Sequence, residues 1–112
     1  MNDGLTAFYT DLRNQGLLDD TLVMTFSEFG RRVAENGSQG TDHGSSGPMF
    51  VLGGGVRGGL YGDAPNLSNL RDGNMIFGID FRSVYSTVLS KWLGADAAML
   101  LGGSFENVGF LP

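Results

Sequence analysis

Three residues in the first half of the chain have the types and spacing of a small ligand-binding site: Glu28, Asp42 and His43. Glu28 follows the apolar run Thr21–Phe26 and stands two residues before a glycine. His43 is the single histidine, and Asp42 precedes it directly. Where strands of a parallel α/β sheet end, the outgoing loops bring polar side chains together. The pattern therefore predicts a metal or anion site formed by these three residues.

His43 and Asp42 each have a second interpretation. A single histidine is weak evidence for a metal, because hydrogen bonds can also hold an imidazole in a loop. Asp42 is either a second metal ligand or a residue that forms an Asx turn and orients the imidazole. If a divalent cation binds, one imidazole with carboxylates suits zinc or manganese better than calcium.

Glu28 needs a cationic partner, because an unpaired carboxylate just after a buried strand is costly. That partner is either a metal ion or Arg31, three residues later. Arg31 has an alternative role in binding a phosphate or sulfate together with Arg32, since guanidinium N–H groups fit tetrahedral oxyanions. Arg32 is equally well explained as a solvated loop charge.

Two helices are predicted at opposite ends of the chain. Apolar residues recur at helical spacing over Thr6–Gly16, where the glycine is suited to end the helix. A second helix is predicted over Asp80–Leu93, with Asp80 as its N-cap and Gly94 after its end. Its apolar stripe consists of Phe81, Val84, Tyr85, Val88, Leu89, Trp92 and Leu93.

Two short apolar runs, Thr21–Phe26 and Pro48–Leu52, predict buried strands between these helices. The polar segment 31–47, which contains four glycines, predicts a long loop that joins them. We therefore expect an α/β chain with a small, mainly parallel sheet flanked by helices.

Composition limits the size and the partners of the chain. Its 112 residues are enough for a single domain or a fragment of one. A net charge of −5 and a pI near 4.5 argue against nucleic acid as a partner, because no basic stripe is present. No apolar run approaches the ~20 residues that a membrane span needs. The first ten residues lack the features of a signal peptide, so the sequence by itself predicts no location.

Four motifs in order resemble one known family. The segments Thr25–Arg31, Gly40–Gly44, Gly59–Gly62 and Asp80–Arg82 are similar to the C-terminal part of the domain-of-unknown-function 1501 family. That family is related to the sulfatase and alkaline-phosphatase superfamily, and the string Gly16–Gly30 is similar to the corresponding superfamily segment. The resemblance covers nearly the whole chain and implies the C-terminal portion of a sulfatase-like fold.

The resemblance also implies roles for individual residues. Glu28 falls where the superfamily has a metal-binding aspartate, and His43 falls near a later histidine ligand. Phe29 falls where the superfamily has another histidine ligand, and a phenylalanine side chain cannot coordinate a metal. The nucleophile and the first carboxylate ligands belong to the N-terminal half of such proteins, outside this chain.

Two functions follow as expectations from this resemblance. In the first, the parent protein is a metal-dependent hydrolase of phosphate or sulfate esters, with Glu28 and His43 as metal ligands and Arg31 as the oxyanion-binding residue. In the second, the chain is part of a non-catalytic binding or scaffold module whose metal site has decayed. In both cases the chain alone is expected to be inactive. The resemblance further implies bacterial export, and a sheet edge left uncovered in a fragment is expected to favour self-association.

Overall fold

The computed structural model describes residues 1–112 as three helices and three separate pairs of strands. A short 3-10 turn, Leu18–Asp20, precedes the first strand, and a π-helical turn, Val88–Trp92, extends the second helix. The helices are α1 (Asn2–Asn14), α2 (Phe81–Thr87) and α3 (Ala97–Leu101). The strands are β1 (Leu22–Met24), β2 (Gly30–Glu35), β3 (Thr41–Gly44), β4 (Val51–Gly53), β5 (Leu70–Arg71) and β6 (Asn74–Met75). The chain is therefore mixed α/β, as the sequence predicts.

Helix α1 starts four residues before the predicted range and ends at Asn14, two residues before the predicted terminating glycine, Gly16. Gly16 adopts a left-handed conformation with φ +71°, which glycine reaches without steric cost. The N–H of Gly16 donates to the carbonyl of Arg13, and the N–H of Leu17 donates to the carbonyl of Leu12. These two bonds form a Schellman motif, which satisfies carbonyl groups at the helix end.

The strand pairings are antiparallel, so the expected mainly parallel sheet is not present. In the pairing of β1 with β4, Val23 lies opposite Leu52. Parallel neighbours need a crossover connection, usually a helix. The segment between β1 and β4 instead contains two further strands, and the chain returns to β1 in the opposite direction.

The segment 31–47, predicted as a loop, contains most of a β-hairpin formed by β2 and β3. Asn36 stabilises the connection between the two strands: its side-chain oxygen accepts hydrogen bonds from the N–H groups of Ser38 and Gly40, at 2.9 and 3.1 Å. A Cβ atom on Gly44 would lie 2.6 Å from the carbonyl carbon of Arg31. Glycine at position 44 thus permits the close approach of the two strands.

The C-terminal tail packs against α2 and supplies part of a small core. The N–H of Val108 donates to the hydroxyl of Thr87 at 2.7 Å, and Ser86 donates to the carbonyl of Phe105 at 3.2 Å. The buried apolar residues are Leu12, Ala97, Phe110 and Leu111, and the buried polar residues are Ser86 and Thr87. None of the helices has the length and hydrophobicity that crossing a membrane would require.

Candidate functional site

The β2–β3 hairpin places Arg31 directly opposite His43. In an antiparallel pair, the side chains of two opposed residues lie on the same face. The ring of Phe29, two residues before Arg31, stacks on the imidazole with a centroid distance of 3.4 Å and an interplanar angle of 14°. Phe29, Arg31 and His43 therefore form one cluster, which we call the hairpin cluster.

Arg31 is held in this cluster by two contacts. One guanidinium N–H donates to the carbonyl of Thr41 at 2.8 Å, and the guanidinium carbon lies 5.1 Å from the centroid of the Phe29 ring. A guanidinium group carries five N–H donors, so this arrangement leaves several of them for a ligand. Arg31 and His43 are both exposed, which makes their polar atoms accessible from solvent.

Asp42 does not belong to the hairpin cluster. Successive side chains of a strand point to opposite faces, so Asp42 and His43 diverge within β3. The carboxylate of Asp42 accepts a hydrogen bond from the Asn36 side chain at 3.0 Å. This contact supports the hairpin turn, and the two neighbouring residues are not brought together as ligands of one ion.

Glu28 lies in an exposed connection, because β1 already ends at Met24. Its carboxylate is therefore not buried at the end of a strand, and the need for a charged partner disappears. The one ion pair of the chain joins Arg82 to Asp80, so the alternative pair between Glu28 and Arg31 does not form. Arg31 contacts Phe29 and Thr41 instead.

The residues that the hairpin brings together do not fit a divalent metal by themselves. The structure contains no group of three histidine, cysteine, aspartate or glutamate side chains with metal-binding proximity. Phe29 covers one face of the only imidazole and offers no ligand atom. The donors of the hairpin cluster are a guanidinium and an imidazole, a combination suited to an anion.

Arg32, unlike Arg31, is used for packing. Its guanidinium donates to the carbonyl of Asp72 and so joins β2 to the turn between β5 and β6. The interpretation of Arg32 as a solvated loop charge is wrong, since it is half-buried. The adjacent arginines thus have different environments, and Arg31 is the one available to a ligand.

The motif Asp80-Phe81-Arg82 forms a second charged cluster at the start of α2. The Asp80 carboxylate accepts from the Arg82 side chain at 2.9 and 2.7 Å and from the Arg82 backbone N–H at 2.9 Å. These hydrogen bonds, the side-chain bonds first, lower the pKa of Asp80 from 3.8 to about 2. The same pair raises the pKa of Arg82, whose guanidinium also lies 4.4 Å from the centre of the Phe105 ring. Both charges are paired, so this cluster holds the helix start and the tail together.

The sequence contained signals for the cluster that the loop prediction missed. Asn36-Gly37 is a typical turn dipeptide between two strands. Once a hairpin is placed around it, the two-residue spacing of Phe29 and Arg31 brings both to one face. The stack with His43 depends on the register of the hairpin, which the sequence pattern alone does not specify.

Comparison with known proteins identifies the family of the chain. No curated protein and no solved structure matches the chain. The family of proteins of unknown function designated DUF1501 matches residues 1–103, which include the hairpin cluster and the Asp80–Arg82 motif. The chain therefore belongs to the DUF1501 family.

Proposed function

We propose that this chain is the oxyanion-binding part of a sulfatase-like protein, in which the hairpin cluster binds a small phosphate or sulfate ester. The observation that carries the proposal is the position of Arg31 opposite His43 on one exposed face of the hairpin. Guanidinium groups bind tetrahedral oxyanions through paired, charge-assisted hydrogen bonds. An imidazole N–H beside it adds a further donor.

The proposal places the chain in the C-terminal part of an alkaline-phosphatase-like fold. The chain's membership in the DUF1501 family supports this placement on the premise, which is part of the proposal, that this family is related to the sulfatases. The same relationship supports bacterial export of the full-length protein. On this proposal the chain is a binding or scaffold module that keeps the superfamily fold, and it does not catalyse hydrolysis alone.

Phe29 favours the non-catalytic form of the proposal. It stands at a position where the superfamily has a histidine ligand, and its ring is stacked on His43.

The second candidate is a metal-dependent hydrolase, which the exposed imidazole of His43 favours. In that case His43 would act with ligands and a nucleophile outside this chain, because Asp42 lies on the opposite face of β3. A metal there would polarise the ester oxygen and activate a nucleophile.

Binding of inorganic phosphate and inorganic sulfate tests the proposal. We expect saturable NMR shifts centred on the Arg31 and His43 signals when either anion is added to the chain. Arg31→Ala should weaken this binding by about tenfold or more, since a charge-assisted hydrogen bond contributes roughly 1.5–3 kcal/mol. Arg57→Ala removes another exposed positive charge, outside the hairpin, and should leave the affinity within about twofold.

If both substitutions weakened anion binding equally, the binding would arise from general charge attraction, and the proposal would be contradicted. The hydrolase candidate is tested on the full-length protein, which would supply the nucleophile, with aryl phosphates and aryl sulfates in the presence of zinc, manganese or calcium. We expect no rate above buffer. A rate that His43→Ala abolishes would favour the hydrolase over the binding module.

A further inference from the structure

The turn of the β2–β3 hairpin contains a dipeptide, Asn36-Gly37, whose own atoms can react with each other. A bond between the backbone nitrogen of Gly37 and the side-chain carbonyl carbon of Asn36, Cγ, closes a succinimide ring. A reaction between two groups of the same chain needs no bimolecular encounter, which lowers its barrier when the groups are well placed. All the reacting atoms lie in these two residues, so the chemistry does not depend on any part of the parent protein outside this chain.

The nucleophile of such a reaction, the backbone nitrogen of Gly37, is unobstructed. Gly37 is exposed, and its N–H donates to no acceptor of the chain. A Cβ atom built on this glycine would have no other atom within 4 Å. Because glycine has no side chain, nothing next to the nitrogen hinders its approach to a carbonyl carbon.

The electrophile, the side-chain amide of Asn36, is held and polarised by the turn. Its oxygen accepts from the N–H groups of Ser38 and Gly40 at 2.9 and 3.1 Å. Donors at such distances stabilise the negative charge that develops on a carbonyl oxygen when a nucleophile adds to its carbon. The amide nitrogen donates to the Asp42 carboxylate at 3.0 Å, and this contact fixes which end of the amide faces the two donors.

We propose that Asn36 is a self-modification site, where the Gly37 nitrogen attacks Cγ and the side chain deamidates in the folded protein. A bond forms between the Gly37 nitrogen and Cγ, and the bond between Cγ and the side-chain nitrogen of Asn36 breaks. The proton lost from the Gly37 nitrogen passes through solvent to the leaving nitrogen, which departs as ammonia. The product of this step is the succinimide.

Water then opens the succinimide at either of its two carbonyl carbons. Addition at Cγ breaks its bond to the Gly37 nitrogen and gives aspartate at position 36. Addition at the backbone carbonyl carbon of residue 36 breaks the other bond to that nitrogen and gives isoaspartate, whose backbone is longer by a methylene group. The two steps together consume one water molecule and release one ammonia molecule, and nothing is oxidised or reduced.

A second asparagine in a similar turn shows what is particular to Asn36. The side-chain oxygen of Asn66 also accepts from the N–H two residues later, that of Ser68, at 2.9 Å. The residue after Asn66 is Leu67, however, and its branched side chain hinders attack by the backbone nitrogen. Asn66 therefore shares the Asx turn with Asn36 and lacks the unhindered nucleophile.

Either product changes the turn on which the hairpin cluster depends. A carboxylate at position 36 cannot donate to Asp42, and it places a second negative charge beside that residue, which destabilises the turn. Isoaspartate also lengthens the backbone between β2 and β3, whose register places Arg31 opposite His43. Deamidation should thus loosen the hairpin cluster with time. This consequence concerns the geometry of the hairpin and does not rest on anion binding.

Peptide mass spectrometry of the purified protein, incubated at neutral pH, tests the proposal. The peptide that contains Asn36 should gain the mass difference between a hydroxyl and an amino group, and fragmentation should place the change at residue 36. An enzyme that methylates isoaspartate should label the same peptide. Asn66 should convert more slowly by about tenfold or more, which corresponds to about 1.4 kcal/mol of activation free energy.

Gly37→Ala places a methyl group beside the nucleophile, and the turn has space for it. It should slow the conversion of Asn36 by about tenfold or more. Gly40→Ala is the matched control, because it is the same substitution in the same turn and keeps the N–H that donates to Asn36. Its added Cβ would lie 3.8 Å from the Asn36 side-chain oxygen, an ordinary contact. It should leave the rate within about twofold.

NMR of the same samples tests the consequence for the hairpin cluster. The signals of Phe29 and His43 should change in proportion to the converted fraction of Asn36. If they stayed unchanged after conversion, the hairpin would tolerate either product, and the predicted loosening would be wrong.

Three results would overturn the self-modification site itself. The first is conversion of Asn36 that is no faster than that of Asn66. The second is equal slowing in Gly37→Ala and Gly40→Ala. The third is conversion that occurs in urea and not in the folded protein, which would show that the turn protects Asn36.

Discussion

Thr87 has no exposed surface, and its hydroxyl group connects α2 to the C-terminal tail. The hydroxyl donates to the carbonyl of Ser83 at 2.7 Å and accepts from the N–H of Val108 at 2.7 Å. Thr87→Val keeps the shape of the side chain but leaves this N–H without a partner. We expect a loss of about 1–3 kcal/mol in the free energy of unfolding, measured by urea denaturation.

Thr87→Ser is the control for this prediction, because it retains the hydroxyl and removes only a methyl group. It should cost less than Thr87→Val. If the two variants were equally destabilised, packing of the methyl group would account for the role of Thr87, and the connection to the tail would contribute little.

At the residue scale, the contacts that could be predicted from the sequence are those between a side chain and the backbone of a residue close to it along the chain. Asp80 was predicted as an N-cap, and its carboxylate accepts from the N–H of Arg82. The neighbours of His43 could not be predicted in this way, because Phe29 is fourteen positions away along the chain. A cross-strand stack depends on the register, which arises from the whole hairpin.

At the scale of elements, the start of α2 contributes a stabilisation that depends on pH. The pKa of Asp80 is lowered from 3.8 to about 2 in the folded chain. The folded state therefore favours the carboxylate, and this stabilisation is present above about pH 4. It is lost as the pH falls from about 4 towards 2.

Substitution of Asp80 separates its cap from its charge. Asp80→Ala removes both and should cost about 1 kcal/mol at neutral pH, as measured by urea denaturation. Asp80→Asn keeps an acceptor for the helix N–H, so it should lose less. The stability difference between the unmodified chain and Asp80→Asn should shrink between about pH 4 and pH 2. A difference that stays constant over this range would contradict the assigned pKa.

The elements themselves could be predicted where local signals are strong. Gly16 and Gly94 end their helices with positive φ, as expected for glycine after a helix. The buried residues of α2 are Ser86 and Thr87, and neither belongs to the predicted apolar stripe. The stripe is at best half-buried, because the contacts of α2 are with α3 and the tail. Periodicity identified the helix but did not identify its partner.

At the scale of the whole molecule, the direction of the strands was the main error. Short apolar runs predict buried strands equally well for parallel and antiparallel sheets. The direction is determined by the connection, and segment 31–47 was interpreted as a loop when it contains most of a hairpin. The same misinterpretation hid the proximity of Arg31 and His43. One missed turn at Asn36-Gly37 thus affected both the fold and the site.

The small core makes a final prediction about the stability of the molecule. Only six of the 112 residues are buried, and single domains of ordinary packing are stable by about 5–15 kcal/mol. If the chain self-associates through an uncovered sheet edge, folding and association are coupled, and the unfolding temperature depends on the protein concentration. A hundredfold increase in concentration should raise Tm by roughly 5 °C, measured by circular dichroism. A sharp transition at the same temperature across all concentrations would instead show that one chain is stable without a partner.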